Sequence, residues 1–150
     1  MYLGGETPLL RSDIIYDRAN KKYPEFTRKL EEKGVVYTRV IPKHDDPTSP
    51  IGRGWISTFQ SEDIKIVEEK AKKLGVSLIP LPNGDIKTVS PVLAAIKTLP
   101  LVDNKKVWFN SVIAAYTGSE DSRNEGRKAV TYGDGEEIDA EHVAGTVELM

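Results

Sequence analysis

The clearest periodicity in the chain begins at Ser61, after which Ile64, Val67, Ala71 and Leu74 share one face of a 3.6-residue repeat. Glu68 and Glu69 stand four residues before Lys72 and Lys73, and Gly75 follows as a C′ stop, so the pattern predicts a helix over 61–74. Nearer the start, Ser12 is placed to cap a helix carrying Ile14, Ile15 and Ala19, which Pro24 interrupts before EFTRKLEEKG runs on to Gly34; helix is expected near 12–33. VVYTRVIP (35–42) is β-branched and aromatic with a proline stop, and predicts a strand. The polar loop KHDDPTSPIGRGW follows it. VSLIPLP (76–82), a PNGD turn, IKTVSPVLAAIKTLP (86–100) and KKVWFNSVIAAYTG (105–118) predict three β-rich segments. In the closing AVTYGDGEEIDAEHVAGTVELM, a Gly-Asp-Gly turn leads to Asp139 as N-cap, with Ala140, Val143, Val147 and Met150 on one face of a helix over 139–150.

This order predicts a mixed α/β, β-rich fold in which strands form a sandwich or jelly roll with inserted helices. A closed jelly roll takes roughly eight strands, and only about four or five are legible here, so the expected form is partial. The last helix reaches Met150 with no glycine stop and no basic final turn. The expectation is one domain over 1–150 that is interrupted rather than finished.

Composition narrows the function classes. The 150 residues are 39% apolar and 29% charged, the profile of a soluble globular domain. Twenty-one basic residues against 23 acidic ones give a net charge of −2 with no basic stripe, so neither a nucleic-acid partner nor a membrane partner is expected. The absence of cysteine removes disulfides, thiolate metal sites and a cysteine nucleophile. MYLGGETPLL has neither the basic nor the apolar region of a signal peptide, and a cytoplasmic location is expected.

Candidate chemistry is sparse. GGETP (residues 4–8) combines two flexible glycines, the polar Glu6 and Thr7 and a proline exit, which suits either a ligand-binding turn or an ordinary tight turn. His44, Asp45 and Asp46 spell H-x-D, and His142 is the other histidine, so a facial triad can be spelled from the letters. A proline-bounded polar loop and a helix do not hold ligands convergently, so His44 and Asp46 are read as surface groups and no metal ligand is assigned. GDGEEID lacks the ligand order of a calcium loop. No nucleophile elbow, P-loop or strand-linked G-x-G-x-x-G is present, so no catalytic residue is assigned.

Taken in order, GGETPLL, KLEEKGVVYTRV, IGRGWISTFQSED, KVWFNSVIAAYTG and AVTYGDGEEIDAEHV resemble the TauD/TfdA branch of the Fe(II)- and 2-oxoglutarate-dependent dioxygenases, nearest its clavaminate synthase-like members. The resemblance implies a double-stranded β-helix in which two histidines and one carboxylate hold ferrous iron and 2-oxoglutarate chelates it, for the oxidation of a small-molecule substrate. It implies that Thr7 contacts the 2-oxoglutarate carboxylate, and that Phe109 and Asn110 lie on a strand lining the substrate pocket. It also implies that the family's His-x-Asp/Glu pair would precede Gly4, and its distal histidine and arginine would follow Met150. Neither pair matches a residue of this chain, whose last arginine is Arg127. Alone, the chain is therefore expected to bind neither iron nor 2-oxoglutarate. Two functions follow: a fragment of an oxygenase, inactive by itself, or a non-catalytic remnant that acts as an interaction module with a full-length relative. Open strand edges would favour self-association in either case.

Overall fold

The computed structural model describes residues 10–150. Pro24 cannot donate a backbone bond and suits a first helical position, so the predicted 12–33 helix divides at Tyr23 into α1 (Ser12–Lys22) and α2 (Pro24–Lys33). Arg11, not Ser12, occupies the N-cap position of α1. Gly34 ends α2 at φ +63°, and a Cβ there would lie 2.6 Å from the Leu93 carbonyl oxygen, so both the turn and the close approach require glycine.

From Gly34 the chain enters β1 (Val35–Ile41), the strand around which the larger sheet is built. The following loop contains a short helix, α3 (Trp55–Phe59), which the sequence did not announce. Helix α4 (Ile64–Lys73) is the predicted 61–74 helix, except that Asp63 rather than Ser61 caps it, accepting from the Lys65 N–H; Gly75, at φ +72°, stops it as expected. Next come β2 (Ser77–Pro80) and β3 (Ile86–Val89), joined across the Pro82–Asp85 turn. The predicted 86–100 segment does not run on as one strand: regular pairing ends after Val89, Leu93 keeps a single bridge to Val35, and the chain bends at Ala95 into β4 (Ile96–Leu99) in a second sheet.

The largest correction concerns 105–118. Only Lys105–Trp108 is strand (β5), and Val112–Gly118 is helix α5. Val112 and Ile113 are β-branched and read locally as strand, but both are buried in the main core, and Ala114 and Ala115 continue a helix without penalty. A short helix α6 (Gly126–Ala129) then leads directly into β6 (Val130–Tyr132), and α7 (Ala140–Val147) starts from Asp139, which accepts the Glu141 N–H as predicted.

The described residues thus form a mixed α/β fold with two antiparallel sheets, one of order β2-β3-β1-β6 and one the β4-β5 hairpin. β1 pairs with β3 through Thr38–Ile41 and with β6 through Val35–Tyr37. The main core joins Phe26 and Leu30 of α2 to Val35, Val130, Tyr132, Val112 and Val143. A second core packs Trp55 and Val67 on Ile86 at the far end of the sheet. Among the described residues, no helix is long and apolar enough to cross a membrane.

Candidate functional site

Thr7 lies outside the described residues. Phe109 and Asn110 are described, and they part company directly after β5. Phe109 is exposed, with the Lys97 ammonium 3.5 Å from its ring centroid, a cation–π contact on the surface of the hairpin. Asn110 turns inward. Its Oδ1 accepts from the Tyr37 hydroxyl at 2.9 Å and from the Ser111 N–H at 3.0 Å, and its Nδ2 donates to the Ala94 carbonyl at 3.2 Å. Burial pushes the Tyr37 phenol up to about 12, so it stays a neutral donor. Asn110 thereby ties β1, the entry to β4 and the start of α5 together.

The loop after β1 is fastened by its acidic residues. Asp45 accepts from the Gly54 N–H at 2.7 Å and from the Ser57 hydroxyl at 3.0 Å. Asp46 accepts from the Thr48 hydroxyl and pairs with the Arg123 guanidinium, which holds its carboxyl down at about 2. Arg123 belongs to a turn that begins at Asp121, a side chain with only 5% exposure. The Asp121 carboxylate accepts from the backbone N–H groups of Arg123 and Asn124, from Asn124 Nδ2 and from the Ser49 hydroxyl. Burial alone would raise this carboxyl, but those hydrogen bonds prevail and hold it below its ordinary value. Asn124, 8% exposed, donates from Nδ2 to the Val40 carbonyl at 3.0 Å and accepts the Val40 N–H at 2.7 Å. It acts as a substitute strand residue along β1, beyond the three-residue span of β6.

The pH dependence follows from these carboxylates. Both are depressed in the folded state, so their contribution is complete above the ordinary carboxyl value of about 4 and is lost as pH falls below it, that of Asp46 toward about 2. The urea midpoint is expected to drop over that interval, and Asp46→Asn should flatten the drop.

These contacts decide the fate of the letters H-x-D. Asp45 and Asp46 are committed to backbone, hydroxyl and guanidinium partners. The His142 ring lies on α7, stacked on Phe26 with centroids 5.1 Å apart and edge-on to Tyr23 at 5.1 Å. Among the described residues, no three histidine or carboxylate side chains gather as a metal-ligand group. The donor set does not fit an iron centre. His142 instead stands beside a cleft of about 380 Å³, whose buried floor is Phe26, Tyr132 and Ile138 and whose rim includes Tyr116 and Arg127.

Sequence reasoning missed both the Asp121–Asn124 turn and this cleft. The turn had a local signal, since Asp-Ser-Arg-Asn suits an Asx turn. The cleft had none, because its residues come from five elements, α2, α5, α6, β6 and α7, and the segment before α7.

No family model matches the chain. Over 147 residues, 98% of its length, it is 48% identical to a clavaminate synthase-like protein of Arabidopsis thaliana. The chain spans 44% of that protein's own length. Identity at this level over nearly the whole chain supports kinship with clavaminate synthase-like proteins.

Proposed function

We propose that this chain is part of a TauD/TfdA-type oxygenase that uses Fe(II) and 2-oxoglutarate to oxidise a small-molecule substrate, and that the chain by itself lacks that activity. The observation that carries the reading is the 48% identity with the clavaminate synthase-like protein, together with the 44% of that protein which the match spans. In the family resemblance, the iron ligands and the distal arginine match no residue here, and Asp45, Asp46 and His142 are engaged with other partners. Thr7 is the one position assigned to 2-oxoglutarate. Phe109 and Asn110 remain assigned to the substrate side, with Asn110 acting through the Tyr37 hydrogen bond as a positioning residue.

A partial jelly roll belongs to the same proposal. Along β1, Val35, Tyr37 and Ile41 point to the two cores, so by alternation Val36, Thr38 and Val40 share the other face with Val89, their neighbour on β3. These side chains are half-buried and lie in neither core, as expected of a sheet that is half of a sandwich. β2 stands at one edge of that sheet with Ile79 47% exposed, which favours self-association of the isolated chain.

The test is extension. Joined to the remainder of the Arabidopsis relative's sequence, the chain should develop the visible metal-to-ligand charge-transfer band of an Fe(II)–2-oxoglutarate chelate under anaerobic conditions. Thr7→Ala should weaken 2-oxoglutarate binding by about tenfold, the effect of losing one charge-assisted hydrogen bond. A folded, extended protein without the band would refute the reading.

A further inference from the structure

The cleft beside His142 is distinct from anything the oxygenase reading assigns. Its floor is apolar and buried, with Phe26, Tyr132 and Ile138 each no more than 3% exposed. Most charged groups at its mouth are engaged where they stand, in ion pairs or as a helix cap. Glu25 pairs with Arg28 at 2.6 Å, Lys29 and Lys33 both pair with Glu136, and Asp139 accepts the Glu141 N–H at 2.7 Å. Two charges of opposite sign are left over. Arg127 and Glu137 line the same cleft, and among the described residues neither has an ion-pair or side-chain hydrogen-bond partner, including each other.

Their placement is set by the backbone. Arg127 lies on α6, which runs directly into β6, and Glu137 sits across from Thr131 of β6 in an antiparallel bridge. The backbone on the two sides of β6 therefore brings both residues to the lining of one cleft. A ligand that satisfies all three features needs an anionic group, a cationic group and an apolar body within a space of about 380 Å³. That volume falls at the small end of the roughly 300–1,000 Å³ range of ligand pockets. A guanidinium matches a carboxylate with two parallel hydrogen bonds, and a carboxylate matches an ammonium.

We propose that this cleft binds a zwitterionic α-amino acid with an apolar side chain, its carboxylate on Arg127, its ammonium on Glu137 and its side chain over Phe26 and Ile138. Such a ligand brings both counter-charges in one molecule, whereas a simple acid or a simple amine leaves one of the two protein charges unmatched.

The test uses the 150-residue chain without iron or 2-oxoglutarate, so its outcome is independent of the oxygenase reading. L-leucine is titrated while the ring resonances of His142, Tyr116 and Tyr132 are followed by NMR. Saturable shifts are expected. N-acetyl-L-leucine, which lacks the ammonium, and L-leucinamide, which lacks the carboxylate, should each bind about tenfold or more weakly, as loss of a charge-assisted contact requires. In Arg127→Ala, leucine and leucinamide should become equivalent, and in Glu137→Ala, leucine and N-acetyl-leucine should. Both substituted residues are exposed, so unchanged melting curves verify that the variants are folded. The proposal is overturned if millimolar leucine produces no saturable shift, if the analogues bind as well as leucine, or if the variants keep the discrimination.

Discussion

Phe26→Ala is expected to lower the melting temperature by roughly 10 °C or more. The ring is 1% exposed and stands between Trp108, with centroids 6.1 Å apart, and the stacked His142 at 5.1 Å. It is the contact through which α2 holds both the β4-β5 hairpin and α7. Removing a buried phenylalanine side chain costs about 3–5 kcal/mol, since transfer energy is lost and the cavity only partly collapses. For a domain of this length each kcal/mol corresponds to roughly 2–4 °C. Phe26→Leu refills most of the volume and should cost clearly less. Thermal unfolding followed by circular dichroism distinguishes the two, and equal, small shifts in both variants would place Phe26 outside the core.

Asp121→Ala is expected to destabilise the chain by about 3 kcal/mol, each buried donor stripped of its acceptor costing about 1–3 kcal/mol. The Asp121 carboxylate serves the backbone N–H groups of Arg123 and Asn124, the Asn124 side chain and the Ser49 hydroxyl. Without it the Asn124 side chain loses the acceptor that helps hold it against Val40, and the loop loses the Ser49 tie to the 119–124 turn while keeping the Asp46–Arg123 pair. Asp121→Asn keeps Oδ1 as acceptor for three of the four donors and can donate toward Ser49, so it should cost less than half as much. Urea unfolding measures both, and a loss confined to charge, equal in Ala and Asn, would contradict the hydrogen-bond account.

What the sequence disclosed and what it hid divide along the range of the interactions. Helix α4 was legible because its four apolar positions, its acid–base pairs and its glycine stop all lie within 15 residues and agree. The Asp139 cap and the turn at Gly135, φ +88°, were legible for the same reason. Residues 112–118 were misread because Val112 and Ile113 have strand-like side chains, and only their burial against α2 and β6 decides for helix. β6 escaped notice because three residues are too short for any alternation, and its partner Val35–Tyr37 lies about a hundred positions away. Of the candidate site, Asn110 was named by family resemblance, and its bonds to Tyr37 and Ala94 could not be read locally. The Asn124–Val40 contact spans 84 positions and had no sequence signal at all beyond an asparagine in a polar turn.

The central proposal is that the iron ligands and the arginine that would complete 2-oxoglutarate binding are not among this chain's residues. In the proposed assignment Thr7 would supply one hydrogen bond, worth about 1.5–3 kcal/mol to a charged partner, against the roughly 4 kcal/mol that even millimolar binding requires. The direct measurement is an anaerobic titration of the 150-residue chain with Fe(II) and 2-oxoglutarate, read by visible absorbance and followed, on admission of oxygen, by an assay for succinate. The expected result is no charge-transfer band and no succinate. A band that disappears in His44→Ala or His142→Ala would contradict the claim and establish those histidines as iron ligands.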